Sequence, residues 1–534
     1  MPFSRRTLGR TPLGSSLKEW MRLASDANQI DDERGSHDSD ASIDEVLSRR
    51  DVLKTAGAGA VALAGTSSLG SLVGSGYHAF MPEKAGRVIV LGGGIAGLSA
   101  GYYLNRGGIA AEVYEGQNRI GGRIYSAHNV MGQGLTTEMG AEFIDSDDYE
   151  MRKFVKMFDL PLIDVAIPSE AKLWNAYYFG GRMRHDKEIL QTFKPFAKKI
   201  AADSKNVVAN GYKDSNALAR KLDHLSISQY MHDIGIEGWL YDLLNVSYLT
   251  ENGSSCDVQS SLNLIGEIGT NTSAKTFKDF GASNQQYKVR GGNHQVPAAL
   301  ARRLGNKIHL GMKLVKIGMD SAGAYELTFE TNGKTKVVKA DTIVVTLPFT
   351  TLREVEITVD LPQIKKTAIN DLNYGMNAKL ILGFNHHYWR DMGTCGLFFT
   401  DLPIQSGWDS SQLQNTTYAS LSLFFGGEAA VDLAKTDIQS EAKMYLPQID
   451  MMYPGAMKEF NGKLTRFNWP HWPWSKASYS TYAVGQSTKF GGAERMTVGH
   501  MYFAGEHTSD DQGFMESGAE TGVMAAKAIL KAFR

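Results

Sequence analysis

The sequence predicts an α/β protein built around a Rossmann-like dinucleotide-binding domain. Three observations lead to this fold class: a short apolar strand that runs into a glycine-rich turn, a helical pattern that follows the turn, and a second apolar strand that ends at an acidic residue. The chain has 534 residues, which is long enough for two or three domains with substantial cores.

The first strand and its turn carry the most specific signal. Residues 87–91 are apolar after Arg87, and they lead into Gly92-Gly93-Gly94-Ile95-Ala96-Gly97. In this pattern Gly92 permits a tight turn, Gly94 lets a pyrophosphate approach the backbone, and Gly97 lets the helix pack on the strand. The start of the helix offers free N–H groups and a positive dipole end to phosphates. We therefore expect a dinucleotide here, rather than a glycine-rich turn without a ligand.

The second strand supports the same interpretation. Residues 111–114 are mostly apolar and end at Glu115, which lies eighteen residues after Gly97. An acid at this distance holds a ribose hydroxyl in dinucleotide-binding domains.

Composition excludes several other classes of protein. Hydrophobic residues make up 43% of the chain and charged residues 21%, which indicates a globular rather than a disordered or fibrous protein. Lys plus Arg number 56 against 57 Asp plus Glu, so no excess of charge indicates a nucleic-acid partner. The two cysteines, Cys256 and Cys395, exclude a disulfide scaffold and a cysteine-rich metal cluster, but the sequence leaves open whether they pair.

The first 83 residues are interpreted as a leader with an export signal. About the first 45 are polar and poor in aromatic residues, as in solvated segments. Arg49-Arg50 then precede residues 55–82, which contain no Asp, Glu, Lys or Arg, and this pattern is typical of twin-arginine export to the periplasm or the extracellular space. A buried helix or a membrane anchor is the alternative, but the stretch is glycine-rich and weakly hydrophobic. No stable membrane span is expected.

The residues after Glu115 identify the family. They read Gly-Gln-Asn-Arg-Ile-Gly-Gly-Arg and end at Arg123, where glycines allow close backbone approach and the arginine can contact a diphosphate. Here the sequence resembles the flavin amine-oxidase superfamily, whose FAD-binding signature has Glu, a short spacer and Gly-Gly-Arg. Residues 138–144, Glu-Met-Gly-Ala-Glu-Phe-Ile, resemble the family segment that passes beside the isoalloxazine ring.

The resemblance continues to the end of the chain. Gly291-Gly292-Asn293 and the helical residues 297–301 are similar to the return into the FAD domain, and residues 313–317 to the strand that meets the adenine. Residues 340–348 resemble the next family strand with its proline exit, and residues 502–519 resemble the closing signature. There a helix start would face the pyrimidine end of the flavin and stabilise negative charge on the reduced ring.

The resemblance implies a discontinuous FAD-binding domain, an α+β substrate-binding domain and a helical region. The expected cofactor-binding residues are Gly92, Gly94, Ala96, Gly97, Glu115, Gln117, Gly122, Arg123, Gly140, Ala141, Glu142, Phe143, Leu314, Glu506, Gly513, Phe514 and Met515. The expected boundaries are 1–83 for the leader and signal, 84–150, 285–350 and 490–534 for the FAD-binding segments, 151–284 for the substrate and helical region, and 351–489 for the substrate-binding domain.

Three residues are candidates for the chemistry. By motif position, Tyr479 and Phe514 are the aromatic residues that flank the substrate in front of the flavin, although either could be plain core. Lys379 resembles the family lysine that holds a water against the flavin N5, and its alternative is a surface lysine at a strand edge. Some amine oxidases attach FAD through a cysteine just before the first aromatic residue. Ser478 stands there instead, so FAD is expected to bind non-covalently.

No metal site is expected. His386 and His387 are adjacent, so their side chains point to opposite faces of a strand and make a poor pair of metal ligands.

Within the superfamily the sequence resembles the L-amino-acid oxidases, which use O2 to form a 2-oxo acid, ammonia and hydrogen peroxide. One feature departs from them. Their substrate-clamping arginine corresponds to Phe143, after Glu142, and their carboxylate-binding tyrosine corresponds to Phe425.

A primary-amine or polyamine oxidase, with Glu142 meeting a cationic substrate, is therefore the alternative. An exported flavoprotein that acts as a desaturase or electron carrier is a third interpretation. The resemblance is also compatible with a homodimer.

Overall fold

A computed structural model describes residues 86–533 of the chain. The predicted leader and twin-arginine signal, residues 1–83, lie outside the described residues. Between residues 86 and 533, no helix is long and apolar enough to cross a membrane.

The described residues form twenty-two strands and fifteen α-helices. The strands are β1 (Val88–Leu91), β2 (Ala111–Tyr114), β3 (Ser126–His128), β4 (Thr136–Glu138), β5 (Leu162–Asp164), β6 (Trp174–Phe179), β7 (Arg182–Arg184), β8 (Ala209–Asn210), β9 (Asp214–Ser215), β10 (Tyr287–Val289), β11 (Ile308–His309), β12 (Lys313–Met319), β13 (Tyr325–Thr331), β14 (Lys334–Ala340), β15 (Thr342–Val345), β16 (Glu356–Ile357), β17 (Asn377–Phe384), β18 (Thr394–Thr400), β19 (Ser406–Asp409), β20 (Ala419–Gly426), β21 (Phe460–Asn468) and β22 (Met501–Phe503). The helices are α1 (Ile95–Arg106), α2 (Tyr149–Met157), α3 (Asp186–Asn206), α4 (Ala217–Asp223), α5 (Ile227–Asp233), α6 (Gly238–Asn252), α7 (Ser261–Glu267), α8 (Gln295–Leu304), α9 (Phe349–Leu352), α10 (Gln363–Asp371), α11 (Glu428–Asp432), α12 (Ile438–Met452), α13 (Ala456–Glu459), α14 (Gln486–Phe490) and α15 (Met515–Ala532).

A five-stranded parallel sheet confirms the predicted α/β class. Its strand order is β11-β2-β1-β15-β22, and every neighbouring pair in it is parallel. Its central strands β1 and β15 are apolar and wholly buried, as expected for a parallel sheet covered on both faces. The sheet brings together strands that are separated by up to about 400 residues of chain.

A second, mixed sheet of seven strands has the order β21-β17-β20-β19-β18-β6-β7. Its central strand β17 is buried along its whole length and pairs antiparallel with β20 and β21. Lys379 is opposite Phe424 on one side and Phe467 on the other, so these three side chains share one face of the sheet. The opposite face, with Ala378 and Phe425, packs into an apolar core beneath α12.

Two further parts of the described chain are a helical region and a four-stranded sheet. Helices α3 to α7 enclose their own apolar core, which includes Phe193, Tyr230 and Leu243. A four-stranded sheet of order β14-β13-β12-β16 carries Leu314 on β12.

The first and last helices of the described residues, α1 and α15, pack closely because of small residues. A Cβ atom added to Gly522 would overlap the carbonyl group of Ala96, and one added to Gly518 would lie 2.8 Å from Ile95 Cγ2. The end of the chain is thereby held against the helix that follows the glycine-rich turn.

We expect Gly522→Ala to lower the free energy of unfolding by about 1–3 kcal/mol, because the added methyl group forces α15 away from α1. Chemical denaturation of the purified protein measures the change. The control is Gly266→Ala in α7, where an added Cβ meets no atom within 4 Å. That variant should be as stable as the parent or more so, by up to about 1 kcal/mol. Equal effects of the two substitutions would contradict the close helix contact.

Candidate active site

The glycine-rich turn forms an open cradle at the start of α1. Gly92 has φ 109°, a conformation that favours glycine, and a Cβ on Gly97 would overlap the carbonyl group of Gly92. A Cβ on Gly122 would lie 3.2 Å from the Cα of Gly94, so the two predicted glycine motifs face each other. No side chain caps α1 and no acid lies in its first turn. These features fit the diphosphate of a dinucleotide.

Glu115 lies beside this cradle. Its carboxylate accepts hydrogen bonds from the backbone N–H groups of Gly93 at 2.6 Å and Gln117 at 2.7 Å. Burial raises its pKa, against the effect of these donors. Each oxygen has a second lone pair for a ribose hydroxyl.

Two other predicted cofactor residues lie in packed surroundings. Leu314 is buried in the same apolar cluster as Tyr114, near the end of β2. Ala96 is buried, and its main chain faces Gly522 in the contact between α1 and α15.

The carboxylate of Glu506 joins distant parts of the chain. It forms an ion pair with Arg123 at 2.8 Å, and it accepts hydrogen bonds from Ser480 Oγ at 2.8 Å and the N–H of Gly513 at 3.0 Å. Arg123 also donates to the carbonyl oxygen of Ser478 at 2.7 Å. Burial opposes the charge of Glu506, but Arg123 and the other partners outweigh burial and lower its pKa.

Phe514 and Met515 follow Gly513 directly, at the start of α15. Phe514 is the half-buried N-cap of α15, and Met515 is buried at its first turn. The neighbouring His507 is a residue that the sequence reasoning missed: burial lowers its pKa to about 3, and neither of its ring nitrogens has a partner among the described residues.

Lys379 lies in a buried cluster around residues 138–142. Its Nζ donates to the carbonyl oxygens of Glu138 at 3.0 Å and Gly140 at 2.9 Å, and to Glu142 Oε2 at 2.9 Å. The alternative of a surface lysine is wrong, because its side chain is only 4% exposed. Glu142 Oε1 accepts from a second buried lysine, Lys288, at 2.8 Å.

The two carboxyl groups of this cluster, those of Glu138 and Glu142, differ in the direction of their pKa shifts. Burial opposes ionisation of Glu142, but the two ammonium groups outweigh it and lower its pKa. Burial raises the pKa of Glu138 to about 7. Among residues 86–533, Glu142 is the single carboxylate that faces both lysines at hydrogen-bond distance.

Aromatic residues line the same region. The ring of Phe143 lies edge-on to Trp408, with centroids 5.8 Å apart, and Trp408 lies beside Phe424 at 5.2 Å. Lys379 Nζ is 5.0 Å from the centre of the Trp408 ring. Trp469 donates from Nε1 to the carbonyl oxygen of Met139, which fixes the segment that contains Gly140 and Ala141.

Tyr479 lies next to the start of α15. A Cβ on Gly513 would be 3.2 Å from its ring, so Tyr479 is adjacent to the residue before Phe514. Its hydroxyl donates to the carbonyl oxygen of Glu251. Burial, then Glu251 and Glu267, raise the pKa of Tyr479 well above its usual value.

The structure corrects the interpretation of Phe425. This residue is wholly buried on the far face of its sheet, where it packs against Tyr445 at 5.1 Å between ring centres. Phe424 is the residue on the Lys379 face, because successive side chains of a strand alternate between its faces.

The expectation that Glu142 meets a cationic substrate also has to be corrected, since both its oxygens already face lysines of the chain. Cys256 and Cys395 are free thiols, which answers the question that the sequence left open.

Sequence reasoning missed Lys288, Trp408 and Glu251. Each belongs to a strand or helix without a recognisable motif, so only the fold brings it near the motif residues.

Within residues 86–533, the one group of carboxylates close enough to share a metal ion is Asp145, Asp147 and Asp148, whose ligand atoms lie within 4.8 Å of one another.

Comparison with known proteins identifies the family. The family model described as flavin containing amine oxidoreductase matches residues 95–530, and the chain belongs to this family. It is therefore a flavin-dependent oxidoreductase.

Its relatives by sequence are distant. The L-amino-acid oxidase of Demansia vestigiata is 26% identical over 480 residues, which cover 84% of this chain and 87% of that protein. The L-amino-acid oxidase of Gloydius blomhoffii is 23% identical over 471 residues, which cover 83% and 89%.

Solved structures share the fold. Cyclohexylamine oxidase from Brevibacterium oxydans has a TM-score of 0.71 at 20% identity, and putrescine oxidase bound to putrescine has 0.69 at 17%. In both comparisons 84% of this chain and 99% of the other chain are covered.

We expect Glu506→Gln to lower the free energy of unfolding by about 3 kcal/mol at neutral pH, because Arg123 loses its charged partner. A carboxylate with a lowered pKa contributes stability above its unfolded value of 4.5, and this stability is lost as the pH falls through the folded-state pKa. The difference between parent and variant should therefore shrink in acid.

Unfolding midpoints at pH 7 and near pH 3 test this. The control is Glu330→Gln, which removes a solvent-exposed ion pair with Lys313 and should change stability by less than about 1 kcal/mol. A difference between parent and Glu506→Gln that is the same at both pH values would count against the ion pair.

Proposed function

We propose that the protein is an FAD-dependent L-amino-acid oxidase. It would oxidise the carbon–nitrogen bond of an L-amino acid, with O2 and water as co-substrates and with a 2-oxo acid, ammonia and hydrogen peroxide as products. The observation that carries this proposal is the position of Lys379, a buried lysine that donates to the carbonyl oxygen of Gly140. The next residue, Ala141, donates to the carbonyl oxygen of Arg123, directly after Gly122 of the cradle that fits a dinucleotide. The named relatives by sequence support the choice of an L-amino acid.

The cofactor would be held by the glycine-rich turn and by the residues that follow β2. Gly92, Gly94, Gly97 and Gly122 leave room for the diphosphate, and Glu115 is available for a ribose hydroxyl. FAD supplies the two-electron acceptor when it is bound. Because Ser478 occupies the position of the family's linking cysteine, we propose that FAD is held without a covalent bond.

The chain's own residues would position the substrate. Tyr479, Phe514 and Phe143 offer apolar surfaces that exclude water and orient the substrate Cα–H bond towards the flavin. The three donors of Lys379 are taken by residues 138–142, so this lysine would act on the reaction with O2 through its positive charge.

Oxidation of a primary amine or polyamine is the second candidate, and a specific observation favours it. Acidic side chains lie near Tyr479: burial and then Asp279 raise the pKa of Glu251 to about 7, and burial and then Glu251 raise that of Glu267 to about 8. A cationic substrate would neutralise this group of carboxylates.

Export by the twin-arginine route is also a proposal. It is supported by Arg49-Arg50 and by the uncharged residues 55–82, which lie outside the described residues. Recovery of the protein only inside expressing cells would argue against it.

Peroxide release from a panel of L-amino acids and simple amines tests the proposed function. We expect peroxide from one or more L-amino acids, together with ammonia, from the holoenzyme. Peroxide from putrescine or tyramine but from no L-amino acid would overturn the leading proposal in favour of the second. No peroxide from any compound, although the flavin is reduced, would favour an electron carrier.

Lys379→Met should slow the reaction of the reduced enzyme with O2 by about 100-fold, because a polarising group at the reacting centre is lost. Stopped-flow mixing of reduced holoenzyme with O2 measures this rate directly. The control is Lys365→Met, which removes another buried lysine that donates to the carbonyl oxygen of Ala493. An unchanged O2 rate in Lys379→Met would refute the role assigned to this lysine.

A further inference from the structure

The buried cluster around Glu142 sets two lysines against one carboxylate at hydrogen-bond distance. Glu142 faces both Lys288 at 2.8 Å and Lys379 at 2.9 Å, and both lysine side chains are at most 6% exposed. A buried cation without a full counter-charge is costly, so such a site favours an anion that completes it.

The two lysines differ in the hydrogen bonds that they make. All three donors of Lys379 have acceptors in residues 138–142. Lys288 Nζ has one hydrogen-bond acceptor among the described residues, Glu142 Oε1, and an ammonium group has three donors. Lys288 is therefore the lysine of this pair that retains donors for a ligand.

Lys288 also interacts with the carboxylate of Asp409. The charge of Lys288 lowers the pKa of Asp409, although burial raises that pKa overall. Asp409 is itself directed at other groups: it lies 3.5 Å from His387 and 3.7 Å from Arg390, and it accepts from Ser411 at 2.6 Å. It does not make a hydrogen bond with Lys288.

Lys288 also lies beside Phe143. Its Nζ is 4.6 Å from the centre of the Phe143 ring. By the family resemblance, Phe143 corresponds to the arginine that clamps the substrate carboxylate in the L-amino-acid oxidases. The backbone of Tyr287 exchanges hydrogen bonds with that of Ile144, at 2.8 and 2.9 Å. Strand β10 thus holds the ammonium group of Lys288 beside Phe143.

We propose that Lys288 binds the α-carboxylate of the substrate and so determines specificity for amino acids over simple amines. This inference rests on the proposed function. Glu142 would orient Lys288 and Lys379 together, with Lys288 on the carboxylate and Lys379 next to the reacting centre. The ring of Phe143 would shield the ion pair from water.

The test compares substrates with and without a carboxylate in the holoenzyme. For Lys288→Met, we expect KM to rise about 10- to 100-fold for the best L-amino acid of the panel, since a charge-assisted hydrogen bond is lost. KM for the corresponding amine, which lacks the carboxylate, should stay within about twofold if that amine is a substrate. Lys288→Arg should restore most of the affinity for the amino acid.

A binding measurement covers the case in which the amine is not oxidised. Benzoate, a carboxylate without an amino group, can be titrated into the holoenzyme and followed by the flavin absorbance. Its Kd should rise about 10- to 100-fold in Lys288→Met and remain unchanged in Lys365→Met, the matched control for loss of a buried lysine. Flavin content and thermal unfolding of each variant check that the fold is kept.

The outcomes separate the two proposals. If the parent oxidises L-amino acids but Lys288→Met keeps the parent's KM and benzoate affinity, the role of Lys288 is overturned and the proposed function stands. If the parent oxidises amines and no L-amino acid, the proposed function falls and the role of Lys288 falls with it. If Lys288→Met does not fold, an unchanged benzoate affinity in Lys288→Gln would overturn the inference, and a weakened one restored in Lys288→Arg would support it.

Discussion

The ion pair between Glu506 and Arg123 is the constraint on which the arrangement of the site depends. The two residues are 383 positions apart in the chain, yet their side chains meet at 2.8 Å. Through Ser480 and Gly513, the same carboxylate fixes the segment that carries Tyr479 and the turn before α15. A buried carboxylate is stable only when its partners are present, so it imposes this geometry as well as stabilising it.

Glu142 has a comparable effect on the other side of the site. It joins Lys379 on β17 to Lys288 on β10, and in this way links the seven-stranded sheet to the segment after β4. Because the cluster is buried, removal of Glu142 would leave two ammonium groups without their counter-charge. The same residues that link these segments therefore also set the charge of this buried region.

Much of the fold could be predicted because its signals are local. The turn at Gly92 and the acid at Glu115 each depend on a few adjacent residues, and the parallel sheet that they imply is present. The interpretation of Phe425 was wrong because a shift of one residue along a strand reverses the face, and motif spacing alone does not fix that register. Lys288 was missed because its partner, Glu142, lies 146 positions away.

The sequence by itself determined the family, the flavin-type turn and the identity of the aromatic and lysine candidates, since these follow from residue types at short spacings. Only the tertiary structure decided which charges meet. Glu142 proved to be held between two lysines rather than free for a substrate, and Phe424 rather than Phe425 shares the face of Lys379. The physical reason is that electrostatic interactions act through space, between residues that the chain separates widely and the folded sheets place side by side.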